Sequence, residues 1–348
     1  MSSGALASLD RRLLSGLCWL LAAIWVFGLV LLPQLFMIET SLWWLERDPQ
    51  ATALSQRIDR LYQEVMLREL DLQAAPVERR PLLEDEIARL REEIALLEAR
   101  EQQPVKVYGF ANYARMSGLH LQVFLRTLAY SVLVTLLSLA VCYPVAWTAA
   151  RARSRRGRAL LLLALVIPYA INELLRVYAW LMIFDYEGLL NALLVRLGLV
   201  DRQSGGIPFL TYPFTTFVAM VYAYILFMVF PLYNAFESLD EHQVEAARDL
   251  GASTWLLHRR VVVPHARPGI AVGCVMTFML SAGSYSVPQI MSRGLGGDWF
   301  SQLVYRQFFE ANNWNIGAAY AFSLLLACLV FVGLVMRLFR VGIREIAR

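Results

Sequence analysis

The chain has 348 residues, 58% of them hydrophobic and 17% charged, with a mean hydropathy of +0.50. Several uninterrupted apolar runs approach or exceed the roughly 18 residues that a bilayer-spanning helix requires, so this is an integral membrane protein. The net charge of +4 gives no reason to invoke nucleic acid, because in such a protein the placement of arginines among the loops carries the information.

Arg11 and Arg12 precede a first span predicted over Leu17 to Met37. It is too long for a signal-peptide core and lacks a small-x-small cleavage site, so residues 1–43 read as a tail and an uncleaved span. Composition then changes abruptly, since Glu46 to Glu101 hold 14 of the 28 acidic residues. Within this insertion, residues 44–104, Leu54, Ile58, Leu61 and Val65 make one helical stripe and Ile87, Leu90, Ile94 and Leu97 another. Ala74, Ala75, Pro76 and Pro81 separate them, and Glu84, Asp85 and Glu86 are expected at the start of the second helix, where its dipole favours acids. An antiparallel helical hairpin outside the cytoplasm follows, either a docking arm or a self-contained connection.

Residues 105–348 are expected to form a core of five further spans. Phe110, Ala111, Asn112 and Tyr113 lead into the second, Val123 to Ala149, after which arginines between Arg151 and Arg158 mark the cytoplasmic side. The third, Ala159 to Phe184, is interrupted by Pro168 and carries Asn172, Glu173 and Arg176. An amphipathic piece (Leu189, Leu190, Leu193, Leu194, Leu197) leads to the fourth, Phe214 to Ala235. The fifth runs from Pro268 to Ile290, an outer loop with Gly294, Gly296 and Gly297 offers a hinge, and the sixth covers Ile316 to Leu338. With Arg340, Arg344 and Arg348 at the end, six spans place both termini in the cytoplasm, while Trp299, Tyr305 and Trp314 suit the outer aromatic belt.

The one long polar connector with an ordered pattern, residues 236–267, lies inside between the fourth and fifth spans. Ser238 and Glu241 form a capping-box pair, so a helix is predicted from there through Val244, Glu245, Ala246 and Ala247 to Gly251, the usual glycine stop. Ser253 then caps a second helix bearing Trp255, Leu256 and Leu257, and an aromatic on a charged connector needs a partner.

Chemistry of its own is not written in this chain. The four cysteines fall within spans with no C-x-x-C spacing, the four histidines are scattered without a metal-binding motif, and no G-x-S-x-G occurs. Lys106, the only lysine, follows no glycine-rich loop, which excludes a Walker A phosphate loop. Polar groups inside spans matter instead, because a charge in hydrocarbon needs a partner or a purpose. Glu173 and Arg176, three apart on one helix face, either neutralise each other or face a translocation path. Tyr178, Tyr222, Tyr224, Ser284, Tyr285 and Ser286 either line that path or serve as interhelical hydrogen-bond donors.

Glu245-Ala246-Ala247, Gly251 after three more residues, and Val261-x-Val263-Pro264 after nine more resemble the cytoplasmic signature loop of bacterial ABC importer permeases. YPVAW (Tyr143 to Trp147), LLRVYAW (Leu174 to Trp180), PLYNAFESLDEHQVEAARDLGAS, PGIAVGC and NNWNIGAA are similar to permeases of the spermidine/putrescine importers. The resemblance implies an all-α type I ABC importer permease fold with six transmembrane helices, into which the hairpin is inserted. It also implies that Glu245, Ala246, Ala247, Gly251 and Trp255 dock on a separate ATP-binding subunit, working as a dimer, and that Pro264 ends the second docking helix. ATP and magnesium then belong to that subunit, this chain binds no cofactor, and a second permease and a periplasmic solute-binding protein complete the machine. Two rivals remain: a gradient-driven carrier using Glu173 as its ion site, opposed by the docking loop, and a regulatory membrane protein worked through the hairpin, opposed by the polar, proline-broken third span.

Overall fold

A computed structural model describes residues 16–46, 51–74, 76, 79–101, 105–152, 154–200, 206–292 and 298–342. Arg11, Arg12, Ala75, Gly294, Gly296, Gly297, Arg344 and Arg348 lie outside the described residues. The chain divides into two compact units, Met1–Arg115 and Met116–Arg348.

In the first unit, α1 (Gly16–Ser41) is long and apolar enough to cross a bilayer. It is followed by β1 (Trp43–Glu46), α2 (Ala51–Ala74), α3 (Arg80–Glu101), β2 (Val105–Tyr108) and the short α4 (Ala111–Ala114). Both predicted hairpin stripes are buried against each other, with Ile58, Val65, Ile87 and Ile94 at their centre. Charges flank this seam in pairs: Arg57 to Glu93 at 2.7 Å, Arg91 to Glu69 at 2.7 Å and Arg68 to Glu86 at 3.6 Å. The Tyr62 hydroxyl donates to Glu98 at 2.9 Å, which raises the phenol pKa above its ordinary 10.0, since ionisation forfeits the bond. Glu84, Asp85 and Glu86 do not open α3, contrary to the sequence expectation. The helix begins at Arg80, with Pro81 inside its first turn, where a missing N–H costs nothing.

A two-stranded antiparallel sheet, not anticipated from the sequence, closes the hairpin base, pairing Trp43 with Tyr108 and Glu46 with Val105. Lys106 sits over the Trp43 ring at 4.2 Å. The Asn112 amide donates to the carbonyls of Ser41 and Trp43 at 2.9 and 2.8 Å, and the Tyr113 hydroxyl to Ser41 Oγ at 2.7 Å. The segment expected to lead into the second span is thus a clasp on the end of α1.

The second unit comprises α5 (Gly118–Ala150), α6 (Arg155–Val166), a 3-10 turn (Ile167–Ala170), α7 (Glu173–Phe184), α8 (Leu189–Arg196), α9 (Pro213–Glu237), α10 (Glu241–Asp249), α11 (Thr254–Ala282), α12 (Ser286–Ser292), α13 (Phe300–Phe309) and α14 (Trp314–Phe339). Helices α5, α9 and α11 pack on one another, α14 packs on α11, and α13 on α14. Phe236, Leu232, Met228, Ala146 and Ala266 form the main apolar cluster. A G-x-x-x-G pair sets the contact of α11 with α9: a Cβ on Gly269 would collide with the Pro231 carbonyl, and one on Gly273 with Met228 Sδ at 2.7 Å. Small residues are the usual means of close approach between membrane helices, where lipid removes the hydrophobic drive to associate.

Among the described residues, six helical segments are long and apolar enough to span a membrane. Two predicted spans change shape. Ala159 to Phe184 is not one helix, because Pro168 ends α6 in the 3-10 turn, Ile171 is extended (ψ 140°), and Asn172 Oδ1 caps α7 by accepting from Leu174 N at 2.8 Å. The apolar third segment runs instead from Glu173 to Arg196, and the amphipathic leucine piece is its second half, α8. Pro268 to Ile290 is likewise divided, with α11 ending at Ala282 and α12 starting at Ser286.

Candidate functional site

The polar connector folds into an elbow whose two faces differ. Asp240, not Ser238, caps α10: its Oδ1 accepts from His242 N at 3.0 Å. Ser238 is consumed by the end of α9, donating to the Ala235 carbonyl and lying 3.0 Å from His265 Nε2, so the predicted capping box does not form. Gly251 stops α10 with φ +79°, a left-handed conformation that costs other residues roughly 1–2 kcal/mol. Ser253 caps the next helix as expected, its Oγ accepting from Leu256 N at 3.3 Å.

Val244 and Leu257 point inward and join the main apolar cluster, with Ala247 packed beside them. Glu245, Ala246 and Gly251 are exposed, and Glu245 lies 3.4 Å from His242. Trp255 is 75% exposed and Leu250 89%. Leu250 was not singled out from the sequence, yet its phase on α10, one position before the glycine, is the signal that finds it. Pro264 does not end the second helix. The helix widens into a π segment over His258–Val262, Pro264 falls in the first turn after it, and α11 continues to Ala282. A π turn shifts the hydrogen-bond register, and the following proline, lacking an N–H, tolerates the shift.

The elbow is anchored through His258, whose Nδ1 is 2.7 Å from the Tyr143 hydroxyl and whose ring lies edge-on to Trp147 at 4.7 Å. Arg151 donates to the Leu239 carbonyl at 2.9 Å, and Arg158 pairs with Glu237 at 3.0 Å. Any displacement of the elbow is therefore felt by α5, α6 and α9.

The predicted polar residues of the spans divide into groups. Glu173 and Arg176 do not neutralise each other, despite their spacing. The Arg176 guanidinium lies over the Tyr169 ring at 4.1 Å, and Tyr169 is fixed by donating to the carbonyls of Tyr222 and Ala223 at 3.0 and 2.8 Å. Glu173 instead accepts from Ser286 Oγ at 3.0 Å. Tyr224 and Ser284 are both buried next to each other, with Glu173 within electrostatic reach of Tyr224. Tyr222 packs edge-on to Trp180 at 5.4 Å, and Tyr178 is exposed. Tyr285 stacks on Tyr305 at 4.5 Å and faces a different cavity of about 290 Å³, shared with Gln289, Asp298 and Arg306.

Among the described residues, six helical segments of bilayer length, two of them adjoining breaks, and an elbow with an apolar exposed face give a multi-pass helical membrane protein. Residues 142–341 match the family of binding-protein-dependent transport system inner membrane components, and the chain belongs to that family. It is a transport component of the inner membrane rather than an enzyme. It is 34% identical over 219 residues to the spermidine/putrescine transport system permease protein PotB of Salmonella typhimurium, covering 63% of this chain and 75% of that one. The molybdenum transport system permease protein ModB of Azotobacter vinelandii is 32% identical over 213 residues, covering 57% and 87%. Among solved structures, a bacterial alginate ABC transporter, in complex with an alginate pentasaccharide-bound periplasmic protein, superposes with a TM-score of 0.51. It is 19% identical over 68% of this chain and 85% of that one, a likeness of fold.

Proposed function

We propose that this chain is the permease subunit of an ATP-driven importer for polyamines of the spermidine/putrescine class. Residues 105–348 form its core, 1–43 its tail and first span, and 44–104 an extracytoplasmic hairpin. The elbow seats on an ATP-binding subunit that works as a dimer and carries the ATP and magnesium. A second permease completes the path, and a periplasmic binding protein delivers the solute.

The observation that carries this reading is the elbow: Leu250 and Trp255 present exposed apolar surface on either side of a left-handed glycine, next to Glu245 and Ala246. Exposed apolar side chains on a charged connector mark a protein contact. The basic clusters at 151–158 and 259–267 support a cytoplasmic elbow and cytoplasmic termini. The likeness to a spermidine/putrescine permease over three quarters of its length supports the solute class.

Gly251→Val tests the docking. Nothing lies within 4 Å of a Cβ there, so the substitution acts through backbone conformation alone. The expected result is normal insertion and a melting temperature lowered by no more than about 2–8 °C, with loss of ATPase-subunit co-purification and of spermidine uptake. Intact assembly and uptake overturn the docking reading.

A further inference from the structure

Two breaks in the core are joined by one hydrogen bond. The backbone opens at Ile171 and Asn172 before α7, and again at residues 283–285 before α12. Ser286 Oγ donates to Glu173 Oε1 at 3.0 Å and ties one break to the other. Neither neighbour of the first break spans alone: the 12 residues of α7 measure only about 18 Å against a hydrocarbon core of roughly 30 Å. Non-helical backbone at membrane depth is tolerated where protein or a water-filled cavity surrounds it.

Glu173 occupies the first position of α7, where the helix dipole favours a carboxylate. That explains why the charge is tolerated, not what completes its shell. A carboxylate offers about four acceptor positions, and one hydroxyl fills one of them. Arg176 lies over the Tyr169 ring, with its Nε and Nη1 buried and without a hydrogen-bond partner among the described residues, and Glu173 makes no ion pair among them. Two hydroxyls stand nearby. Tyr224 is within electrostatic reach of Glu173, and Ser284 adjoins Tyr224. Ser284 is only 7% exposed, and beyond its contact with the Tyr224 hydroxyl its Oγ has no hydrogen-bond partner among the described residues. A carboxylate with one hydroxyl donor and no ion pair, within electrostatic reach of a buried tyrosine–serine hydroxyl pair, has acceptor positions left for further donors.

A primary ammonium group carries three donors and no acceptor. We infer that Glu173, Ser284 and Tyr224 form a transit site for a primary ammonium group of the solute, with Glu173 supplying the charge and the two hydroxyls the remaining acceptors. This rests on the polyamine-importer reading and names the residues that take the cation. Arg176, parked on Tyr169, is kept from closing the site with its own guanidinium.

The test uses the complete transporter with its binding protein in proteoliposomes, reading radiolabelled spermidine and putrescine uptake alongside ATP hydrolysis stimulated by the loaded binding protein. Glu173→Gln keeps volume and removes charge. Its uptake rate is expected to fall about 10- to 100-fold, with stimulated ATP hydrolysis held within about twofold and partial recovery in Glu173→Asp. Ser284→Ala is expected to lose about threefold to tenfold. Uptake by Glu173→Gln within about twofold of wild type removes the site. Parallel loss of ATP hydrolysis makes Glu173 a structural residue and overturns the inference as well. Wild-type transporter that carries neither polyamine overturns the polyamine reading itself, a result read before any variant is assayed.

Discussion

The hairpin α2–α3 and the elbow α10–α11 are both charged helix–turn–helix segments, and they treat their apolar residues in opposite ways. In the hairpin the stripes close on each other, leaving Ile94 3% exposed, and the acids and arginines pair across the seam. In the elbow one stripe is spent on the permease core through Val244 and Leu257, while Leu250 and Trp255 are left in the open. A segment that satisfies itself needs no partner for stability. One that leaves a tryptophan and a leucine uncovered is built to be covered by something else.

Exchanging the two kinds of damage sharpens the contrast. Ile94→Ala should cost the hairpin about 2–5 kcal/mol, as a large-to-small change in a small core, visible as increased proteolysis of residues 51–101, with solute uptake unchanged. A parallel loss of uptake would show that the hairpin is more than a connection. The double change Leu250→Ser with Trp255→Ser should do the reverse, weakening ATPase-subunit binding by about 2–4 kcal/mol while thermal unfolding of the chain shifts little. Equal losses of stability and binding would break the comparison from the other side. Arg57→Ala is the mildest, expected to cost less than about 1 kcal/mol because the Arg57–Glu93 pair is exposed and screened by salt. Its effect should vanish in high salt when hairpin proteolysis is followed.

The helices were legible where one face had to be buried, because the period of 3.6 then shows in the residues themselves. Both hairpin stripes are of this kind. So is Gly251, whose place after Glu245-Ala-Ala requires a backbone that glycine adopts freely. What the residues did not reveal was choice among competing partners. Ser238 and Asp240 are both good caps two residues apart, and the end of α9 claims the serine. Arg176 had Glu173 at ion-pair spacing and an aromatic ring contributed by the preceding turn, and it took the ring. The β1–β2 pair joins segments separated by the whole hairpin, and a Trp-Trp-Leu-Glu run next to a span carries no alternation to announce a strand. Pro264 read as a terminator because a π turn upstream of it leaves no compositional trace.

That π turn has a mechanical consequence. Because the π turn carries the helix on instead of ending it, α11 continues for 29 residues from Thr254, about 43 Å, through an internal Pro268, with Trp255 at one end and the break before Ser286 at the other. Pivoting about the close contact at Gly269, a tilt of about 5° at the Trp255 end swings each arm by roughly 2 Å in opposite senses. A shift of that size exceeds the slack of a 3.0 Å hydrogen bond, and the one between Ser286 and the exposed Glu173 lies just past the break at the far end of this helix.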